Sequence, residues 1–247
     1  VSTPHGMNMF YKLWTDAEEK RNSYVPIEVH WSEVPGRDEK WKKETIANTS
    51  EQQFQTEFEC EFLGSVNTLI NSSKLRVLTY KQYIQKNAGL TLYEQPIKDH
   101  TYMLVADVAR GTKNDNSAFV LFDITEVPYK VVATFKDNEI KPLLFPQKIY
   151  QVARAYNQAF VLIEVNDIGE QVANNLQFDL EYDNLVMAAM RGRAGQVMGG
   201  GFSGGRAQLG VRTTKAVKSI GCSNLKQLVE SDKIIIEDFD IINELST

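Results

Sequence analysis

Large apolar positions are thin over the first 75 residues and condense into short runs after residue 101. Ser2-Thr3-Pro4-His5-Gly6 reads as a loop, and the spacing behind it predicts a helix over 9–20. A strand-like stretch follows at 25–31, then a charged helical stretch at 38–57. So few large apolar residues for this length suggest that the segment leans on another body. Residues 76–101 hold Gly89, Pro96 and many polar side chains, which suits a connector. From there the pattern sharpens. A continuous apolar run at 102–106 ends in Asp107, a second run spans 117–122, Pro128 marks a turn, and a third run spans 130–135. Short connections make these three an antiparallel meander. A helix over 143–157, a strand at 160–163 closed by Glu164, a helix over 169–181 and a strand at 185–190 come next. After a glycine-rich basic segment, the pattern predicts a helix near 214–231, a strand at 234–236 and a last helical turn.

An antiparallel meander followed by alternating helices and strands is the order of a ribonuclease H-like α/β fold. It predicts a mixed sheet, a three-stranded meander plus parallel strands, flanked by helices and preceded by a small N-terminal α/β extension. A right-handed crossover would bring the first and fourth strands together, adjacent and parallel at the sheet centre.

Composition narrows the picture little: 247 residues, 43% hydrophobic and 24% charged, are ordinary for a globular protein. No apolar run approaches the roughly 18 residues of a membrane helix. No signal-peptide pattern opens the chain, and Val1 in place of methionine suggests a piece of a longer protein. Cys60 and Cys222 form no framework or metal spacing, so reduced thiols are expected; His5, His30 and His100 are too scattered for a zinc site. Charge changes more. The net −5 argues mildly against nucleic acid, yet residues 184–229 contain no Asp or Glu and seven bases: Arg191, Arg193, Arg206, Arg212, Lys215, Lys218 and Lys226. A local basic stretch inside an acidic protein is a better DNA footprint than the total; the plain alternative is a solvated basic surface.

Asp107 and Glu164 each end a near-continuous apolar strand of the kind usually buried on both faces. A carboxylate there is costly to desolvate unless paired or bound to metal. Alone, an acid after a strand most often begins a loop or caps a helix. Here two such acids end neighbouring strands about 4.8 Å apart, so they can share a hard divalent cation. Mg²⁺ (or Mn²⁺) takes a few carboxylates plus water and substrate phosphate. Two such ions about 3.5–4 Å apart serve in-line phosphodiester cleavage. Asp115 is a weaker candidate at the start of the second meander strand, Asp123 lies at the opposite edge, and Asp167 is expected to cap the following helix.

Gly200 to Ala207, G-G-F-S-G-G-R-A, comes close to a phosphate-binding P-loop, but Arg206 and Ala207 stand where Lys and a hydroxyl are required. The segment Arg191–Arg206 is read instead as a basic hairpin whose arginines, together with Arg212, Lys215 and Lys218, give sequence-independent phosphate contacts. A plain surface loop is the competing reading.

Leu104-Val-Ala-Asp107, Leu162-Ile-Glu164-Val-Asn166-Asp-Ile-Gly169-Glu-Gln-Val-Ala173, Leu180-Glu-Tyr182, Gly221-Cys-Ser-Asn-Leu225-Lys-Gln-Leu228 and Asp232-Lys-Ile-Ile235 occur in order along the chain. In combination, residues 102–247 resemble the C-terminal nuclease domain of the large terminase subunit of T-even-like tailed phages. Residues 1–75 are similar to the tail of that family's packaging ATPase, without its nucleotide motifs, and 76–101 would link the two. The resemblance implies a metal-dependent endonuclease that cuts concatemeric double-stranded DNA with low sequence specificity. It also implies the portal protein and small terminase subunit as partners, and a place in the host cytoplasm at the procapsid portal. Asp107 and Glu164 match the first two acids of the family's triad. The third belongs to a His-Asp-Asp-like motif expected beyond Thr247, so this chain is expected to bind metal poorly by itself. Two rival readings stand: a DNA-gripping module of the packaging motor with little cleavage of its own, and another ribonuclease H-like enzyme such as a resolvase or transposase.

Overall fold

The computed structural model describes residues 8–62, 68–75, 77–191, 197–198 and 207–246. The chain forms two compact units, one from the residues up to Tyr80 together with those from Ile236 on, the other from Lys81–Ile235.

In the first unit, α1 (Met9–Glu18) starts where the Asn8 side chain accepts from the backbone N–H groups of Phe10 and Tyr11. Its aromatic face packs Phe10 and Trp14 around Phe62, with ring centroids 5.5 and 6.4 Å away. The charged stretch expected as one helix is two, α2 (Glu39–Asn48) and α3 (Glu51–Glu57), because the backbone breaks at Thr49 and Ser50 caps a new start. Residues 25–31 form no strand: Val25, Ile27 and Val29 are exposed, and a one-turn 3-10 helix covers Trp31–Glu33. Apolar alternation marks a chain that suits a sheet, but a strand exists only where a neighbour supplies its hydrogen bonds. Trp31, Trp41, Phe54 and Phe58 make a small aromatic core instead. A short α4 (Ser72–Leu75) follows, and the unit also holds α8 (Phe239–Leu245), whose Phe239 ring meets Tyr80 edge-on at 5.4 Å.

The second unit is built on a mixed sheet. In chain order its strands are β1 (Gln85–Asn87), β2 (Leu90–Leu92), β3 (Tyr102–Asp107), β4 (Ser117–Asp123), β5 (Tyr129–Asp137) and β6 (Phe160–Ile163). Their spatial order is β1-β2-β5-β4-β3-β6, and the late β10 (Ile234–Ile235) pairs parallel with the start of β5. The meander and the parallel β3–β6 neighbours stand where the apolar runs put them. Within the stretch read as a connector, β1 and β2 form a hairpin that extends the sheet through β5. Its turn uses Ala88 and Gly89, both at positive φ, as a two-residue hairpin loop requires.

Helix α5 (Phe145–Ala155) covers one face of the sheet. Phe145 stacks with Phe119 and Phe135, and Ile149 and Ala153 are fully buried against Leu104, Leu121 and Val161. Each of the large side chains among them contributes about 1.5–3 kcal/mol on burial, which fixes the strand register on which the site depends. Helix α6 (Gly169–Asn174) continues as a π-helical turn, Asn175–Asp179. The fifth expected strand divides: Leu185 bridges Val161, while β7 (Met187–Arg191) turns away to pair with β8 (Val197–Met198) and β9 (Ala207–Leu209). Thr214 then caps α7 (Lys215–Glu230). The fold is the ribonuclease H-like mixed α/β sheet that the pattern predicted.

Candidate metal-binding active site

Strand β3 is not buried on both faces. Tyr102, Leu104 and Ala106 point into the core, while Val105 and Asp107 are exposed on the other face. On β6 the same alternation buries Val161 and Ile163 and leaves Leu162 and then Glu164 on that more open face. The parallel ladder pairs Val105 with Leu162 and Ala106 with Ile163, and the Glu164 N–H donates to the Ala106 carbonyl at 2.9 Å. The next step of the same register brings Asp107 and Glu164 side by side. An apolar run ending in an acid thus puts its acid at the open end of a core strand.

The two carboxyls meet. Partial desolvation at the strand end pushes the Asp107 carboxyl above the usual carboxylate range; a hydrogen bond with Glu164, the Glu164 charge and a smaller push from Asp115 act in the same direction, against a backbone hydrogen bond at Val108. Two carboxylates this close cannot both ionise cheaply without a cation between them. Asp115 sits in the exposed loop between β3 and β4, near enough for its charge to act on Asp107.

Glu164 is held from the side away from β3. Its Oε1 accepts from Asn166 Nδ2 at 3.0 Å, and the same amide donates to the Thr213 carbonyl at 3.0 Å. Glu164 bridges Val211, and the Val165 and Val211 N–H groups donate to the Val211 and Ile163 carbonyls. Two glycines permit this close packing. A Cβ on Gly169 would lie 1.8 Å from the Glu164 carbonyl oxygen, and one on Gly210 would lie 2.2 Å from that of Ile163.

The segment 211–213 carries Arg212 along this edge of the site, and α7 begins directly after it with Lys215 and Lys218, all three exposed. Arg191 ends β7, in the hairpin expected to be basic. Arg193 and Arg206 lie outside the described residues.

Two further residues sit beside the pair, Asn166 without an obvious mark in the sequence and Asp167 in a role other than the expected cap. Asn166 positions Glu164, as above. Asp167 does not cap α6, whose N-cap is Ile168 without a side-chain cap bond. It takes φ +49° and pairs with Arg110, whose guanidinium holds the Asp167 carboxyl below the usual range. The usable signal is the equal offset: Arg110 follows Asp107 by three residues and Asp167 follows Glu164 by three. Among the described residues no set of three or more His, Cys, Asp or Glu side chains forms a ready cation cage.

A family model described as the terminase RNaseH-like domain matches residues 104–245. Among solved structures, the large terminase nuclease from thermophilic phage G20c with bound magnesium superposes with a TM-score of 0.55 at 18% identity, covering 74% of this chain and 80% of that one. Its cobalt-bound form gives 0.55 at 20% identity, over 74% and 80% of the two chains. The Thermus phage P74-26 large terminase nuclease domain gives 0.52 at 21%, over 73% and 77%. At these identities the structural likeness speaks for the fold, while the family model spans more than half of the sequence, including both strand-end acids: the chain belongs to the terminase RNase H-like domain family.

Proposed function

We propose that this chain is the nuclease domain of a DNA-packaging terminase, a metal-dependent endonuclease that cuts concatemeric double-stranded DNA with low sequence specificity. The observation that carries the reading is the Asp107–Glu164 carboxyl pair, set on neighbouring parallel strand ends on the open face of the sheet. Its donor set fits a hard divalent cation. Both groups are oxygen donors, they repel one another until a cation neutralises them, and the open side leaves room for water and phosphate. Relatives of this fold carry magnesium or cobalt, which supports Mg²⁺ (or Mn²⁺) as the cofactor here. Bound between these acids, divalent ions would supply Lewis-acid stabilisation of the phosphodiester and activation of water, in a two-ion arrangement if further acids join.

The chain's own residues orient and bind. Asn166 fixes Glu164 toward Asp107, and Gly169 and Gly210 let the backbone close around it. Arg212, Lys215 and Lys218 would hold duplex phosphates beside the acids, with Arg191, Arg193 and Arg206 extending that contact. Contacts of this kind carry no base information, hence the low specificity.

On the same reading, residues 1–75 are the tail of the packaging ATPase, 76–101 lead from it, and the nuclease works at the procapsid portal in the host cytoplasm with the portal protein and small subunit. None of the described helices is long and apolar enough to cross a membrane. The test is cleavage of supercoiled plasmid by this chain with Mg²⁺, Mn²⁺ or chelator. Weak nicking in either metal that stops with chelator is expected, because two acids alone hold the cation loosely; tight duplex binding without any cut under all three conditions would favour a gripping module instead.

A further inference from the structure

The loops that leave β3 and β6 emerge at the same end of the sheet, because the two strands are parallel neighbours. They are joined by one exposed contact. Arg110 Nε and Nη2 donate to Asp167 Oδ2 and Oδ1 at 2.8 and 2.6 Å, a two-pronged pair with 66% and 59% of the side chains open to solvent. An exposed pair adds little to folding, and neither loop needs it. The β3 loop is tied by Lys141 Nζ to the Gly111 carbonyl at 2.7 Å, by Lys113 N–H to Asn138 at 2.9 Å, and by Ser117 Oγ to the Ala109 N–H at 3.0 Å. The β6 loop is tied by Asn166 to Thr213 and by the seat of Gly169 on Glu164.

Resting on the nuclease reading above, we infer that Arg110 is a DNA-phosphate contact parked on Asp167, and that a backbone phosphate arriving beside Asp107 and Glu164 takes the place of the Asp167 carboxylate. The guanidinium fork fits carboxylate and phosphate alike in the same two-pronged geometry, so the exchange conserves its hydrogen bonds. Three residues span at most about 10 Å, so Arg110 stands within reach of a phosphate over the acids. The other cation of its loop, Lys113, is drawn toward Glu139 at 3.3 Å. The released Asp167 is already exposed and returns to water without a desolvation cost. Arg110 would thus touch substrate, and Asp167 would position it.

Duplex binding by the whole 247-residue chain, measured in chelator over a series of salt concentrations, separates this from a mere clip between loops. R110A should weaken binding several-fold and lower the salt slope by about 1, while R110K keeps the slope. D167N should tighten binding by up to about fivefold, the ceiling set by the small worth of an exposed pair. That gain should shrink in the R110A/D167N double variant. If R110A and D167N shift affinity in the same direction, the pair is a clip. If the D167N gain is the same with and without Arg110, only overall charge is at work. Either result overturns the inference and leaves the nuclease reading standing; failure of the unaltered chain to bind duplex at all would overturn both.

Discussion

Strands β3 and β4 each end in an aspartate, at opposite ends of the same antiparallel pair, and the two acids have opposite fates. Asp123 is buried and fully answered: it accepts from His100 Nδ1 at 2.6 Å, from the Thr125 hydroxyl at 2.6 Å and from the Thr125 N–H at 3.0 Å. Burial alone would raise its carboxyl, but the hydrogen bonds from Thr125 and His100 outweigh it and hold the group below the ordinary range. Asp107 opens to solvent, faces a second acid and is pushed the other way. Strand position is therefore the same and partner chemistry decides the role. An acid surrounded by donors is part of the fold; an acid facing an acid is a candidate cation ligand.

The widest gap between the two should appear on substitution. Asp107→Asn and Glu164→Gln are each expected to lower plasmid cleavage by about a thousandfold, equivalent to ~4 kcal/mol of transition-state stabilisation. Their melting temperatures should stay level or rise, since each change relieves like-charge repulsion. Near-native cutting by either variant would remove that acid from the site. Asp123→Ala should do the reverse. Leaving His100 and Thr125 without their buried partner is expected to cost about 2–3 kcal/mol in denaturant unfolding, with cutting intact at temperatures where the variant is folded.

Between these lies the basic edge beside Glu164. Replacing Arg212, Lys215 and Lys218 by Ala should weaken binding to unrelated duplexes alike. The salt slope should fall by about 1 for each phosphate no longer neutralised; no change in slope would return this edge to a plain solvated surface.

The smallest effect is on pH. The Asp123 carboxyl is depressed in the folded state, so its contribution is complete above the unfolded value of about 3.9 and is lost as pH falls through the lower folded value. The stability difference between the unaltered chain and Asp123→Ala should accordingly narrow on acidification below pH ~4. A difference that stays constant down to the acid transition would detach Asp123 from that stability.

The sheet centre was legible in sequence because its strands are continuous apolar runs, and Asp107 and Glu164 were legible because each closes one. What local pattern could not carry was pairing. The stretch 25–31 has the composition of a strand but joins no sheet, with Val25 and Ile27 exposed, whereas Gln85–Asn87 has no such composition and joins the sheet through its turn. Asp167 misled for a related reason. An acid just before a helix looks like a cap, but capping needs the extended backbone of an N-cap residue, and φ +49° directs this side chain to Arg110 instead. The burial of β3 on both faces was overestimated because hydrophobic Met103 and Val105 line the open face that the acids share.

Helix α7 has its own consequence. Of its sixteen residues, all described, Val229 near its end is the buried one, while Lys215, Val217, Lys218 and Ile220 stand in solvent. Substitutions along its first three turns therefore disturb little packing, so the charge that this face presents can be raised or lowered almost independently of whether the protein folds. Affinity for a polyanion and stability of the fold are thereby separable traits in this molecule. On the proposed reading, a lineage, or an engineer, could adapt duplex affinity one lysine at a time without touching the carboxyl pair.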